Sequence, residues 1–162
     1  MKRALLCFLT IGLAGVAFTQ PPAILKVEGD VPAPLQLTAA DLATMPHQTV
    51  PVKDQKGAAI EYEGVAARDV LAKAGAPLGK ELRRNALATY VLAKARDGYE
   101  VLFAISEFDA QFANESIVIA DKRDGKPLSP KDGPLRLVCP ADKEGARSVR
   151  MLESLEVVRL RK

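Results

Sequence analysis

The chain has 162 residues, of which 48% are hydrophobic and 27% are charged, and its formal net charge at neutral pH is +3. This composition is that of a folded globular protein and excludes an intrinsically disordered chain. The charge is nearly balanced and the basic residues are not interleaved with aromatic ones, so no nucleic-acid partner is expected.

The N-terminal residues have the pattern of a secretory signal peptide. Lys2 and Arg3 precede an apolar run from Ala4 to Phe18. The run is shorter than the about 20 apolar residues that a membrane span needs. We therefore assign residues 1–19 to a signal peptide and residues 20–162 to one exported domain, which is free of the membrane after signal cleavage. An uncleaved N-terminal anchor is the alternative.

Removal of the signal leaves Cys139 as the one cysteine of the mature chain. An intramolecular disulfide is then impossible, although an export route would permit one. Cys139 ends an apolar run in phase with Leu135 and Leu137, which favours a buried thiol because free cysteine is among the most buried residue types. A reactive thiol or an intermolecular linker is the alternative.

The first half of the mature chain alternates short strands with short helices. Thr38 and Asp41 have the spacing of a capping box, which predicts a helix start. Gly64 is expected to end a strand, and Gly75 to end the helix that follows it. We predict strands over residues 23–29, 35–37, 48–52 and 58–62, and helices over residues 38–44 and 65–74.

The second half is richer in strands. Asp97 and Gly98 are a strong hairpin signal, and Asp124 with Gly125 predicts a second turn. We predict strands over residues 88–93, 99–105, 116–120, 135–139 and 155–160. Because strands outnumber helices and several strand pairs are joined by hairpins, the sequence predicts an α+β domain with mixed or antiparallel sheets.

Several kinds of site are excluded by the residues present. His47 is the only histidine, so a serine or cysteine nucleophile with a histidine base is not expected, and neither is a zinc cluster of cysteine and histidine. The remaining signal is charge, because eleven basic and six acidic residues occur from Lys122 onward. This excess favours attraction of a small anion, and a merely solvated surface is the alternative.

Five short segments of the chain occur in the order that they have in a known family. They are Tyr62-Glu-Gly-Val65, Arg68-Asp-Val-Leu71, Asp97-Gly-Tyr99, Gly133-Pro-Leu-Arg-Leu-Val-Cys-Pro140 and Gly145-Ala-Arg-Ser-Val-Arg150. Through these segments the chain resembles the molybdopterin-binding domain of the sulfite oxidase family. The resemblance implies an α+β fold with mixed sheets and a molybdopterin cofactor.

In this family the cationic loop after the Gly-Pro-x-Arg strand helps to hold the pterin phosphate or an anionic substrate. The resemblance therefore implies cofactor-binding roles for Lys143, Arg147, Ser148 and Arg150. Guanidinium groups bind phosphate bidentately, and a serine hydroxyl with backbone N–H groups can complete an anion site. The alternative is that Arg147 and Arg150 only solvate a surface turn.

One feature of the family's enzymes has no counterpart in this chain. Their metal is held by a cysteine thiolate before the Tyr-x-Gly glycine, and the corresponding positions here are Val52, Lys53 and Asp54. Soft thiolate ligation fixes such a metal, so its loss makes a bound metal doubtful. Asp54 could supply a harder oxygen ligand. Cys139 stands where the family has an ordinary apolar residue.

These patterns are similar to those of small exported bacterial members of the family. They lead us to expect a periplasmic protein that binds a pterin-like or other anionic small molecule, or a periplasmic protein partner, without oxotransfer turnover. An active molybdenum-dependent oxidoreductase with a non-cysteine ligand is the main alternative, and a purely structural interaction module is another. A Cys139 side chain in the same pocket as Arg147 and Arg150 would favour the working enzyme.

Overall fold

The computed structural model describes residues 22–53, 57–114 and 116–160. The assigned signal peptide and Asp54 lie outside these residues. In the part of the chain that is described, no helix is both long and apolar enough to cross a membrane.

Strands dominate the fold, and they form two five-stranded sheets. The strands in the described ranges are β1 (Leu25–Gly29), β2 (Leu35–Leu37), β3 (His47–Lys53), β4 (Ala59–Ala66), β5 (Thr89–Ala95), β6 (Glu100–Ala104), β7 (Val118–Arg123), β8 (Lys126–Pro127), β9 (Arg136–Val138) and β10 (Leu152–Arg159). The helices are α1 (Ala39–Ala43) and α2 (Ala67–Lys73), with 3₁₀ turns at Gly79–Glu81, Arg84–Ala88, Ile105–Phe108 and Gly145–Arg147.

The first sheet is mixed and has the strand order β2-β1-β10-β5-β6. In it β1 pairs with β10 in parallel, and its other pairs are antiparallel. The second sheet is antiparallel, has the order β3-β4-β7-β8, and gains β9 as a further partner of β7. The predicted α+β fold with mixed sheets is therefore confirmed.

The main core joins the two sheets and α2. It includes Leu25 and Leu155 from the first sheet, Ile119 from the second, and Leu71 from α2. A smaller apolar cluster lies on the opposite face of the second sheet. This cluster consists of Ile60, Tyr62, Val118, Ala120 and Val138. Side chains alternate between the faces of a strand, so β7 contributes Ile119 to one cluster and its two neighbours to the other.

Two local signals in the sequence correspond to observed structure. The Asp41 carboxylate accepts hydrogen bonds from the backbone N–H and the hydroxyl of Thr38, at 2.8 and 2.7 Å, and these bonds lower the pKa of Asp41. The Thr38 hydroxyl in turn accepts from the N–H of Asp41, so the capping box is complete. Gly98 has a φ of +86°, as the hairpin turn between β5 and β6 requires.

The prediction that Gly64 ends a strand was wrong. β4 continues through Gly64 to Ala66, and α2 begins only at Ala67. A Cβ atom at Gly64 would lie 2.1 Å from the carbonyl oxygen of Ile119. The glycine therefore permits β7 to approach β4 closely beside a register shift, which is a known use of glycine inside strands.

Candidate functional site

The outer face of the second sheet forms the floor of a groove of about 990 Å³. Val52 and Ile60 are paired across β3 and β4, and Tyr62 follows on the same face. Val138 of β9 completes the apolar part of the floor. Pockets of roughly 300–1,000 Å³ with an apolar lining and a few polar groups are typical small-molecule sites.

The rim of the groove is strongly cationic. The charged residues among the described groove lining are Lys53, Arg123, Arg136, Lys143, Arg150 and Glu144. Five of these residues are cations and one is a carboxylate, and two carboxylates outside the lining, Asp124 and Asp132, pair with three of the five cations, which leaves a net positive excess. Such an excess raises the local potential and attracts anions. We call this site, with its apolar floor, the cationic groove.

Two of these guanidinium groups share one carboxylate. Asp132 Oδ1 accepts a hydrogen bond from Arg136 Nη1 at 3.2 Å and lies 3.4 Å from Nε of Arg150. Its other carboxylate oxygen accepts from the Ser129 hydroxyl at 2.8 Å. The Arg136 guanidinium carbon also lies 5.2 Å from the centre of the Tyr62 ring. These contacts fix the direction of Arg136 while one carboxylate leaves the pair net positive.

Lys53 and Lys143 line the same groove. Within the described ranges neither lysine forms an ion pair with a carboxylate. Because no carboxylate of the described ranges offsets their charge, these two ammonium groups add most to the groove's attraction for an anion.

The backbone after β9 sets which side chains face the groove. We call residues 139–151 the closing loop. Val149 is fully buried, and its carbonyl oxygen accepts a 2.8 Å hydrogen bond from the N–H of Leu137. Ser148 has extended backbone angles, with φ −78° and ψ 102°. Successive side chains in extended backbone point to opposite sides, so Ser148 and Arg150 line the groove while Val149 enters the core.

Arg147 lies on the inner side of the closing loop, away from the groove lining. Its Nε and Nη2 donate to the Asp142 carboxylate at 2.8 and 2.7 Å, and its Nη1 donates to Glu107 Oε2 at 2.6 Å. Its guanidinium carbon is 5.1 Å from the centre of the Phe103 ring. The hydrogen bonds to Asp142 and Glu107 raise the pKa of Arg147. The structure therefore brings Lys143, Ser148 and Arg150 together and separates Arg147 from them.

Cys139 also belongs to the inner side. It is a member of the main core with 4% of its surface exposed, and its Sγ lies 3.7 Å from the backbone oxygen of Arg147. Burial, and then the charge of Asp142, raise the pKa of the thiol from 9.0 to about 12. A thiol with this pKa stays protonated at neutral pH, whereas metal ligation needs the thiolate.

The residues present fit the phosphorylated ring of the expected cofactor better than they fit its metal. Cationic side chains, the Ser148 hydroxyl and an apolar floor suit a phosphorylated heterocycle. At the positions where the family's cysteine is expected, Val52 has no donor atom and Lys53 is a cation. Among the described residues no cluster of three or more histidine, cysteine, aspartate or glutamate side chains could hold a metal ion. The groove thus suits an anion, and its described lining contains no cysteine.

Comparisons with known proteins identify the class of this domain. The family model for the oxidoreductase molybdopterin-binding domain matches residues 22–162, so the chain belongs to that family. The resemblance inferred from the sequence motifs is confirmed.

Solved structures agree on the fold. The crystal structure of the sulfane dehydrogenase SoxCD from Paracoccus pantotrophus superposes with a TM-score of 0.63 at 21% sequence identity. The match covers 82% of this chain and 37% of that chain, so the present protein spans well under half of its length. No curated protein sequence matches the chain.

Four residues of the groove were not predicted from the sequence as binding residues. Tyr62, Arg123 and Arg136 meet only because β4, β7 and β9 pair side by side, with Tyr62 opposite Arg123. Lys53 reaches the site at the end of β3. The available signal was strand alternation, because Arg136 and Val138 flank the buried Leu137 and must face the other side.

Proposed function

We propose that the protein is a periplasmic binding protein built on the molybdopterin-binding domain, and that its cationic groove holds a pterin-like or other anionic small molecule without oxotransfer turnover. The anion would lie against Lys143, Ser148 and Arg150, and an apolar ring would lie on the floor beside Val52 and Ile60. If molybdopterin is the ligand, these residues would contact its phosphate and its ring, and the metal would supply redox chemistry only in the bound state.

The observation that carries this proposal is that the groove cations and the Cys139 thiol lie on opposite sides of the closing loop. Three of the four loop residues implied by the family resemblance line the cationic groove. Cys139 is buried on the other side of the same loop with a raised pKa. Anion binding is therefore supported by the groove, and the absence of a thiolate at the groove supports a role without turnover.

Export is a separate part of the proposal and depends on the pattern of residues 1–19. Fractionation of cells that express the full chain tests it. We expect the shortened mature form in the periplasmic fraction. Full-length chain in the membrane fraction would support the uncleaved anchor, and retention in the cytoplasm would contradict export.

Inorganic pyrophosphate is a suitable probe for the groove, because it carries the charge of a phosphorylated ligand without its ring. Isothermal titration calorimetry should show saturable binding that weakens as salt screens the charges. Lys143→Gln combined with Arg150→Gln should lower the affinity about a hundredfold, since a hydrogen bond to a charged group contributes about 1.5–3 kcal/mol.

The matched control is Lys80→Gln combined with Arg83→Gln, which removes the same charge from exposed positions outside the groove lining. Binding should persist in this variant. Equal loss in both double variants would show that net charge alone attracts the probe and would refute a groove-specific site.

The competing function, an active molybdenum enzyme with a non-cysteine ligand, is tested by metal content. The full chain is exported from a host that makes the cofactor, and bound molybdenum is measured together with the fluorescence of the oxidised pterin. We expect no stoichiometric molybdenum, with or without pterin fluorescence. Stoichiometric metal that survives Cys139→Ala would overturn the proposal and indicate an oxygen ligand such as Asp54.

A further inference from the structure

We infer that Arg147 is a positioning residue. It fastens the closing loop so that Ser148 and Arg150 face the groove, and the same contacts cover the thiol of Cys139. The effect on ligand binding rests on the proposed function, whereas the covering of the thiol does not.

Arg147 joins three separately placed groups. Asp142 lies five residues before it on the same loop and binds it through both carboxylate oxygens. Glu107 lies 40 residues earlier, in the 3₁₀ turn Ile105–Phe108 beside the first sheet. Phe103 of β6 lies under the guanidinium and is itself fully buried against Phe108, with the ring centres 5.6 Å apart. The loop is thereby tied to β6 and to the 3₁₀ turn that follows it.

The same loop is also joined to Cys139 by two contacts. The thiol faces the backbone oxygen of Arg147 at 3.7 Å, and the N–H of Cys139 donates to the Ser148 hydroxyl at 3.2 Å. A movement of Arg147 therefore displaces the cover of the thiol and the groove residue Ser148 together. Release of the guanidinium should be visible as faster reaction of Cys139.

Arg150 lacks this anchoring. Its side chain is 62% exposed, and its ion pair with Asp132 spans 3.4 Å. A substitution at Arg150 should therefore remove a groove cation and leave the thiol covered. This contrast provides a matched control on the same loop, three residues away and of the same residue type.

The experiment measures two quantities on the full mature chain. The first is the rate at which N-ethylmaleimide modifies native Cys139, and the second is the affinity for inorganic pyrophosphate at several salt concentrations. Arg147→Met should speed labelling about tenfold to hundredfold, because each hydrogen bond to a charged group corresponds to one or two powers of ten. Its affinity should fall while its salt dependence stays unchanged, since Arg147 does not face the anion.

In Arg150→Met the rate of Cys139 labelling should equal that of the parent, and the salt dependence of binding should be weaker. Arg147→Lys keeps the charge but cannot bind Asp142 bidentately, so its labelling should be intermediate. Glu107→Gln leaves one acceptor oxygen for two donors, the N–H of Ala104 and Nη1 of Arg147, so it weakens the anchor without touching the loop and serves if the Arg147 variants fail to fold. Circular dichroism confirms that each labelled variant is folded.

The outcomes separate the two proposals. Parental labelling rates in folded Arg147→Met or Glu107→Gln would overturn the positioning role, whatever the binding data show. Faster labelling in a protein that does not bind pyrophosphate would uphold the fastening of the loop and refute the proposed function.

Discussion

The closing loop carries cations on both of its sides, and they differ in how many carboxylates contact them. On the inner side, Arg147 makes three hydrogen bonds of 2.6–2.8 Å to carboxylates and Cys139 is buried. On the groove side, Arg150 has one carboxylate at 3.4 Å, and Lys143 has no ion pair within the described residues. Cations close together in a sequence thus differ in what they can bind. A ligand site is indicated by the cations that the protein itself leaves unneutralised.

The comparison also separates the fold from the site. The cationic groove depends on strand pairing and on the direction of the closing loop. A thiolate metal ligand would need a cysteine at the groove, and among the described residues the one free cysteine, Cys139, lies in the core on the other side of the loop. A fold shared with a family establishes architecture, and the site must be argued from its own residues.

The largest expected effect concerns the reactivity of the inner side. A thiol pKa of about 12 in place of 9.0 leaves about a thousandfold less thiolate at neutral pH. Labelling of native Cys139 with N-ethylmaleimide should therefore rise about tenfold per pH unit up to pH 10 without levelling. The same measurement in concentrated urea is the control and should level near pH 9. Levelling of the native protein near that pH would mean that the thiol is open to solvent.

The raised pKa has a matching effect on stability. Because the folded pKa exceeds the unfolded one, the thiol's contribution is complete below about pH 9 and is lost as pH rises towards 12. Denaturation by urea at several alkaline pH values should show this loss in the parent. Cys139→Ala should remove this part of the pH dependence.

The second expected effect separates the two arginines by stability. Arg147→Met should lower the free energy of unfolding by about 1–2 kcal/mol, the lower part of the range for charged hydrogen bonds, because the side chain is 41% exposed and solvent screens its contacts. Arg150→Met should change it by less than about 0.5 kcal/mol, as is usual for exposed sites. Urea denaturation gives both values. Equal losses of unfolding free energy in the two variants would show that Arg147 and Arg150 contribute alike to stability.

Much of the fold could be predicted from local signals. The capping box at Thr38 and the turn at Gly98 depend on neighbouring residues, so the sequence displays them directly. Gly64 was misjudged because its role depends on Ile119, which is far away in the chain and approaches only when β4 and β7 pair. A glycine that ends a strand and one that admits a neighbouring strand look alike in sequence.

The site was less predictable for the same reason. The family resemblance selected the closing loop, and the motif included Arg147 beside Ser148. The direction of Arg147 is set by Glu107, 40 residues earlier, and by the ring of Phe103. The groove cations Arg123 and Arg136 come from different strands and meet only in the folded sheet. Contacts between residues this far apart in the chain cannot be predicted from a local sequence pattern.

The third prediction compares the carboxylates that serve the two sides. Asp132→Asn removes the counter-charge of Arg136 and Arg150 in the groove, so pyrophosphate should bind about fivefold more tightly, as expected for one charge a few ångströms away in a partly solvated site. Asp142→Asn removes the counter-charge of Arg147 and should not strengthen binding. Calorimetry on both variants decides, and tighter binding in both would show that any removed negative charge has the same effect.

The smallest expected effect tests whether a hydrogen bond from Tyr99 stabilises the groove side of the closing loop. The Tyr99 hydroxyl donates to the carbonyl oxygen of Ala146 at 2.6 Å, where the small pocket of about 210 Å³ adjoins the cationic groove. This bond is exposed, so Tyr99→Phe should cost about 0.5–1 kcal/mol at most. Pyrophosphate affinity should fall about twofold while Cys139 labelling stays parental. Since Ala146 is next to Arg147, faster labelling in this variant would show that the Tyr99 hydroxyl also helps to fasten the inner side of the loop.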